Sequence, residues 1–216
     1  MSIQKTFFNF IFFFLILLIF SNQAVATGPT KTIETSVNDV INYLKDPSYS
    51  NPQTHLQVRN KIENEVRKVF DFSEFSLRTV GLNWNSFTTS QQERFNNAFS
   101  DLLLATYLDK IDGYNGEKVT YTNELISSKG DRAEVQTVIN LSDGRTIPVV
   151  YRMMSKKNTW VVYDVIIENI SLIKNYRAQF QDILMKNKPE ELIQKVEARA
   201  KELHNAASVG NSKLGQ

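Results

Sequence analysis

The sequence predicts an α+β domain in which helices pack around an antiparallel sheet of about four strands. Apolar residues recur every three or four positions from residue 33 to residue 111, which is typical of amphipathic helices. After Gly116 the period changes to two, and four strand-like segments follow one another with short turns between them. Helical spacing returns from Ser171 onwards. Consecutive strands joined by tight turns predict an antiparallel meander.

The N-terminus has the pattern of a secretory signal peptide. Lys5 precedes an apolar run from Ile11 to Phe20, and the small-residue pattern Ala24-Val25-Ala26 follows. The apolar stretch falls short of the roughly 20 residues that span a bilayer. We therefore expect residues 1–26 to be removed on export, leaving a single domain over residues 27–204.

Composition argues against several functional classes. The chain has 25 Lys and Arg residues against 23 Asp and Glu residues, a near-balance that argues against a nucleic-acid-binding surface. The absence of cysteine removes thiol catalysis and cysteine metal sites. The two histidines, His55 and His204, lack metal-site spacing, and we expect both at the surface. Without a nucleophile elbow, P-loop or dinucleotide fingerprint, we expect no catalytic residues, no metal and no cofactor.

The N-terminal half of the mature chain is expected to be helical. Helical spacing covers residues 33–44, 56–69 and 72–80, with a polar linker over 48–54. Asp46-Pro47 ends the first of these segments, because proline removes a backbone donor and clashes with the preceding turn. Asp71 is available to cap the third segment, and Gly81 is a plausible C-terminal cap.

A long helix is expected from about residue 89 to residue 111. Two overlapping capping boxes introduce it, Thr89 with Gln92 and Ser90 with Glu93. Its apolar stripe consists of Phe95, Ala98, Phe99, Leu102, Leu103, Thr106, Tyr107 and Ile111. This stripe is wide enough to face a core rather than a coiled-coil seam.

Four strands are expected next. They begin near Val119 and then cover residues 132–141, 146–154 and 160–167. Asp143-Gly144 is a hairpin signal, and a second tight turn is expected at 155–158. The side chains on both faces of the last strand are largely apolar, so we expect other parts of the protein to cover both faces.

Asp164 lies in this last, largely apolar strand. A buried carboxylate needs a partner, and Arg152 on the adjoining strand or Arg177 on the next helix could supply it. Beyond this strand, Ser171 opens one helix and Pro189 starts a last one. Residues 205–216 are small and polar, and we expect them to be disordered.

Three segments resemble a known family. The runs FDFSEFSLRTVGLNW at 70–84, WVVYDV at 160–165 and IENISLIKNYRAQF at 167–180 are similar to the periplasmic phospholipid-binding proteins of the Mla lipid-transport system, the toluene-tolerance auxiliary family. The resemblance covers most of the mature chain and is strongest over 149–184. It implies that the sheet is curved and that sheet and helices enclose an apolar pocket for phospholipid acyl chains.

The resemblance also implies a function. The protein would be a periplasmic carrier of phospholipid between an outer-membrane lipoprotein–porin complex and an inner-membrane ABC transporter complex with its substrate-binding domain subunit. From resemblance and strand parity, the expected lipid-binding residues are Phe99, Leu103, Tyr107, Val149, Tyr151, Val165, Leu172 and Tyr176. Two other readings stay open. One is a periplasmic hydrolase on the same scaffold, with Asp164, Arg152 and Tyr176 as the nearest polar candidates, and the other is a ligand-free interaction module with a solid core.

Overall fold

The structure is a computed structural model that describes residues 27–111, 113–186 and 188–213. The expected signal peptide lies outside the described residues. The described chain starts with five α-helices, α1 Pro29–Lys45, α2 Pro47–Ser50, α3 His55–Val69, α4 Phe72–Val80 and α5 Thr89–Ile111. A 3-10 helix at Gly81–Ser86, which the spacing did not predict, connects α4 to α5. Gly81 ends α4 with a φ of 67°, a value that favours glycine.

A five-stranded sheet follows the helices. Its strands are β1 Lys118–Ile126, β2 Arg132–Asn140, β3 Thr146–Lys156, β4 Thr159–Ile167 and β5 Ile170–Ser171. They lie in sequence order, and every neighbouring pair is antiparallel. This confirms the predicted α+β fold and the meander. The fifth strand was not predicted, because its connection consists of Glu168 and Asn169, both at positive φ, and glutamate gives no turn signal there.

A β-bulge in β4 changes which of its residues face the helices. Tyr163 is the extra residue, so that Val162 lies opposite Met153 while Val165 lies opposite Tyr151. Val162 and Val165 are therefore on one face although they have opposite sequence parity. The prediction for this strand assumed that side chains alternate strictly between the two faces of the sheet. Alternation does not hold across a bulge.

Side-chain caps begin several of the helices. Asp71 accepts a hydrogen bond from the backbone N–H of Glu74 at 3.1 Å, as predicted. For α5 the two predicted capping boxes are wrong, by one and by two positions. Thr88 and Gln91 form the reciprocal pair instead. The backbone N–H of Thr88 donates to Gln91 Oε1 with an N–O distance of 3.1 Å, and the backbone N–H of Gln91 donates to Thr88 Oγ1 with an N–O distance of 3.3 Å. Three hydroxyl residues in a row are each followed three positions later by Gln or Glu, so the pattern alone does not identify the cap.

The region between α1 and α3 is more structured than the sequence suggested. Part of the expected linker is the helix α2, and its Tyr49 is 8% exposed in a small core with Val58 and Ile62. The expectation of a surface His55 holds only in part, because the residue is half-buried, its Nδ1 lies 2.7 Å from the carbonyl oxygen of Tyr49 and its Nε2 is buried. The surrounding residues are mostly polar, so the sequence pattern did not indicate this packing.

Two helices close the described chain, α6 Leu172–Leu184 and α7 Pro189–Lys213. α7 packs along α5 through Leu192, Ile193 and Val196, each at most 3% exposed. Arg94 on α5 ties the same helices together by ion pairs to Glu190 and Glu197. We expected no regular structure beyond residue 204, but α7 continues to Lys213. A helix already formed adds further residues at little cost, and Ala206 and Ala207 favour its continuation.

The main core lies between the sheet and the helices. It contains residues of α1, α3, α4, α5, α6 and α7 together with one face of β2, β3 and β4. Among the residues that the structure describes, no helix combines the length and apolarity needed to cross a bilayer.

Candidate functional site

The eight residues expected to bind lipid all lie in the main core. Five of them, Phe99, Leu103, Val149, Val165 and Leu172, are at most 9% exposed. The other three, Tyr107, Tyr151 and Tyr176, are partly buried and pack against the same cluster. The structure therefore brings together residues from α5, β3, β4 and α6 on the apolar side of the sheet.

Helical spacing explains the contributions of α5 and α6. Phe99, Leu103 and Tyr107 are four residues apart, so they lie on one face of α5. Leu172 and Tyr176 have the same relationship on α6. The two faces meet where the ring of Phe99 contacts that of Tyr176 edge-on, with 5.0 Å between centroids. This contact gives the candidate site an aromatic wall.

The sheet supplies the opposite wall. Val149 and Tyr151 are two residues apart on β3 and share a face, and Val165 pairs directly with Tyr151 across the β3–β4 ladder. Met153 and Val162, each 0% exposed, extend this wall towards the β3–β4 turn. The wall is apolar apart from tyrosine hydroxyls and Thr137, whose hydroxyl donates to the carbonyl of Val149 at 3.0 Å.

Tyrosine hydroxyls are the main polar groups facing this core. Burial raises the pKa of the Tyr151 hydroxyl to about 12. Burial is also the main reason why the pKa of Tyr107 is raised to about 12, together with the Tyr176 hydroxyl, to which it is hydrogen-bonded. The pKa of Tyr176 is raised by burial as well. These phenols stay neutral over the physiological range, so they bring hydrogen-bond capacity but no charge.

Asp164 lies on the other face of β4 and is 2% exposed. Its carboxylate accepts hydrogen bonds from Ser171 Oγ at 2.7 Å and from the backbone N–H of Ile173 at 3.1 Å. Arg152 Nη1 lies 3.6 Å away, which confirms the expected burial and arginine pairing. The other candidate partner, Arg177, instead donates to the backbone carbonyl of Arg78. Asp164 therefore anchors the start of α6 to the sheet.

Sequence reasoning did not identify several residues of this region. The inward face of β2 contributes Ala133, Val135 and Thr137, each at most 3% exposed. Tyr121 on β1 packs against the same core. The alternation of β2 was visible in the sequence and could have identified its inward residues. Tyr121 gave no comparable signal, because β1 is otherwise largely exposed and contains a bulge after this residue.

Two open clefts lie elsewhere on the surface. One, of about 540 Å³, is bordered by Tyr43, Lys61, Asn64, Glu65, Arg67 and Lys68. The other, of about 310 Å³, adjoins it and reaches Trp160 at the start of β4. Both have charged or hydroxyl-bearing walls and share no residue with the eight core positions. Within the described parts of the chain, no group of three His, Cys, Asp or Glu residues is placed to hold a metal ion.

The sequence is similar to those of known proteins. A family model described as MlaC protein matches residues 34–198. The toluene tolerance protein ttg2D of Pseudomonas putida is 26% identical over 165 residues, which is 75% of each chain. The intermembrane phospholipid transport system binding protein MlaC of Haemophilus influenzae is 20% identical over 202 residues, or 91% of this chain and 94% of that protein.

A solved structure is similar over almost its whole length. It is the phospholipid-binding protein from Ralstonia solanacearum in complex with a phospholipid. Its TM-score to this chain is 0.71 at 26% sequence identity, and the match covers 80% of this chain and 97% of that one. The similarity therefore includes both the sheet and the surrounding helices.

Proposed function

The chain belongs to the MlaC family, and on that premise we propose that it is a periplasmic phospholipid carrier that holds acyl chains between the sheet and helices α5 and α6. The observation that carries the proposal is the match to a protein solved with a phospholipid, which extends over 97% of that protein. In this proposal the eight core residues contact the acyl chains and the headgroup stays outside.

The interior of the domain supports this assignment. Acyl chains require surroundings that are almost as apolar as a bilayer, and the two walls described above are apolar apart from neutral hydroxyls. Tyr151 keeps some accessible surface, although its hydroxyl is enclosed enough for burial to raise its pKa. A residue that is enclosed but still accessible is what the border of an internal space would contain.

The energetics of transfer favour exchange within docked complexes. Burial of one methylene group is worth about 0.8 kcal/mol. Moving two acyl chains with roughly 30 methylenes from the protein into water therefore costs on the order of 25 kcal/mol. Passage of free lipid through water is correspondingly slow. We propose that the carrier docks to an inner-membrane ABC transporter complex with its substrate-binding domain subunit, and to an outer-membrane lipoprotein–porin complex.

A hydrolase on this scaffold has less support. Asp164 is engaged by Ser171, Ile173 and Arg152 on one side of β4. The hydroxyl of Tyr176 is hydrogen-bonded with Thr106 and Tyr107 on the helical side. Catalysis by these groups requires a shared substrate position, and their partners hold them on separate sides of the strand. A ligand-free module is the remaining alternative, and lipid content distinguishes it from a carrier.

The test is the lipid content of the protein purified from a Gram-negative periplasm without detergent. Organic extraction followed by mass spectrometry should recover phospholipid in near-stoichiometric amount. An unrelated periplasmic protein purified in parallel measures the lipid background. Lipid-free protein of normal stability, recovered from cells with an intact envelope, would overturn the carrier assignment in favour of the module.

A further inference from the structure

The hydroxyl of Tyr121 is a polar group without a hydrogen-bond partner among the described residues. Tyr121 lies on β1 and pairs with Thr137 of β2, which in turn pairs with Val149 of β3. Its ring packs against the main core. Its hydroxyl oxygen is buried, and in the described part of the chain it has no hydrogen-bond partner. It is thus a polar atom on the same face of the sheet as the candidate lipid site.

An unpaired buried hydroxyl destabilises a protein, because the group loses its hydrogen bonds to water and gains none in return. Native proteins leave few such groups, and each calls for an explanation. A ligand that supplies the missing partner is one explanation, since the hydroxyl is then satisfied in the loaded protein. The position of Tyr121 beside the candidate site makes a bound lipid the nearest source of such a partner.

The surroundings of Tyr121 define what this partner can be. Burial is the main reason why the pKa of Tyr121 is raised, and the nearby hydroxyl of Tyr151 and carboxylate of Glu34 raise it further, so the group remains a protonated donor. Burial of the hydroxyl disfavours an anionic phosphate at this point, because a charged group would lose its hydration there. The carboxylate of Glu34 adds to this effect, and its ion pair with Lys31 offsets part of its charge. A neutral acceptor is therefore the best match.

A phospholipid contains neutral acceptors at one defined depth. Its ester carbonyl oxygens lie between the acyl chains and the charged headgroup, and a carbonyl accepts hydrogen bonds but cannot donate them. Tyr121 has a similar intermediate position, because it is next to the buried Thr137 in the sheet and close enough to the partly exposed Glu34 of α1 to be affected by its charge. When the carbonyls leave water with the chains, they need a donor.

We infer that the Tyr121 hydroxyl donates a hydrogen bond to an ester carbonyl oxygen of the bound phospholipid, and that the protein thereby prefers diester over diether lipids. The inference rests on the proposed carrier function and adds to it a chemical selectivity at the junction of chains and headgroup. Tyr121 is a specificity residue in this role and forms no covalent bond.

The experiment compares two lipids that differ only in these carbonyls. The full mature protein is incubated with vesicles containing equal amounts of diester and dialkyl-ether phosphatidylethanolamine with the same chains, then separated and extracted. Mass spectrometry gives the ratio of the two bound lipids. A neutral hydrogen bond corresponds to about a two- to tenfold preference for the diester. Tyr121→Phe, which removes only the hydroxyl, should bring the ratio close to that of the vesicles.

Tyr43→Phe is the matched control, because it removes the same group from a residue of the surface cleft. It should keep the wild-type ratio. Thermal unfolding of lipid-free Tyr121→Phe should occur at the wild-type temperature or above, since an unpaired polar atom has been removed. Equal uptake of both lipids by the wild type, or an unchanged preference in Tyr121→Phe, would overturn the inference and leave the carrier function standing. Uptake of neither lipid by the wild type would overturn both.

Discussion

The hydroxyl of Ser171 donates a 2.7 Å hydrogen bond to Asp164 and at the same time accepts one from the backbone N–H of Lys174 at 3.2 Å. One side chain therefore caps α6 and joins it to β4. The second carboxylate oxygen of Asp164 accepts from the backbone N–H of Ile173. Two of the first donors of α6 are satisfied through this connection, and it fixes the angle at which the helix leaves the sheet.

Replacing Asp164 with asparagine should destabilise the protein by about 3 kcal/mol. The amide nitrogen cannot accept from Ser171, and Arg152 loses one of its two carboxylate partners. Denaturant midpoints measure the effect, and Asp143→Asn in the exposed β2–β3 turn is the control. Equal midpoints for the two variants would show that the buried network contributes nothing to stability.

Replacing Ser171 with alanine removes the cap and the donor to Asp164 together. We expect a loss of about 1–2 kcal/mol, the usual range for a capping hydroxyl. Because Ser171 and Asp164 act through one hydrogen bond, the double variant should lose less than the two single losses added together. A double-mutant cycle from chemical denaturation measures this difference. Additive losses would mean that the two residues stabilise α6 independently.

The sequence patterns predicted much of the fold because they report local chemistry. Asp71 and Ser171 were recognised as helix starts, since a short polar side chain before an apolar period is a local signal. The turn of Glu168 and Asn169 escaped prediction because tertiary pairing of Ile170 with β4, rather than the residue types, imposes its positive φ angles. The partial burial of His55 was not predicted for a similar reason, because its partner Tyr49 lies in a segment whose other residues are mostly polar.

The candidate site was predictable to the extent that periodicity held. The core-facing positions of Phe99, Leu103 and Tyr107 agree with helical spacing, and those of Val149 and Tyr151 agree with strand alternation. The choice of these residues as lipid-binding came also from the family resemblance. Val162 was missed because the bulge at Tyr163 reverses the alternation, and a bulge has no dependable sequence signature. The inward position of Tyr121 was not predictable in the same way, because it depends on the pairing of β1 with β2, which is a long-range contact. The lipid-binding roles of all these residues remain predictions.

Arg94 should stabilise the docking of α7 on α5 in a pH-dependent way. Its hydrogen bond to Glu190 is the main reason why the pKa of Glu190 is lowered from 4.5. A carboxyl with a lowered folded-state pKa adds stability above its ordinary pKa, and the gain is lost as the pH falls through the folded value. The unfolding temperature of Arg94→Gln should therefore be below that of the wild type at pH 7, and the difference should shrink below about pH 4.5.

The exposure of Arg94 and Glu190 determines how large the stability difference should be and which control is appropriate. Arg94 is 41% exposed and Glu190 39%, so the effect is expected to be small and to weaken with added salt. Lys129→Gln, in the exposed β1–β2 turn, removes the same charge without breaking the α5–α7 connection. A pH-independent difference between Arg94→Gln and the wild type would indicate that Arg94 acts through packing of its aliphatic stem.

A charge placed on the apolar wall of the sheet should remove lipid from the carrier. Val149 is 3% exposed and Val165 6%, so Val149→Glu and Val165→Glu each force a carboxylate into the buried apolar wall, at a cost on the order of several kcal/mol. The folded variants should yield far less phospholipid on extraction, with circular dichroism reporting whether they fold. Leu82→Glu introduces the same charge at a side chain that is 92% exposed, and it should retain the wild-type lipid content and stability. Full lipid content in a folded Val149→Glu or Val165→Glu variant would place the acyl chains elsewhere, because no dry pocket tolerates an unpaired carboxylate beside them.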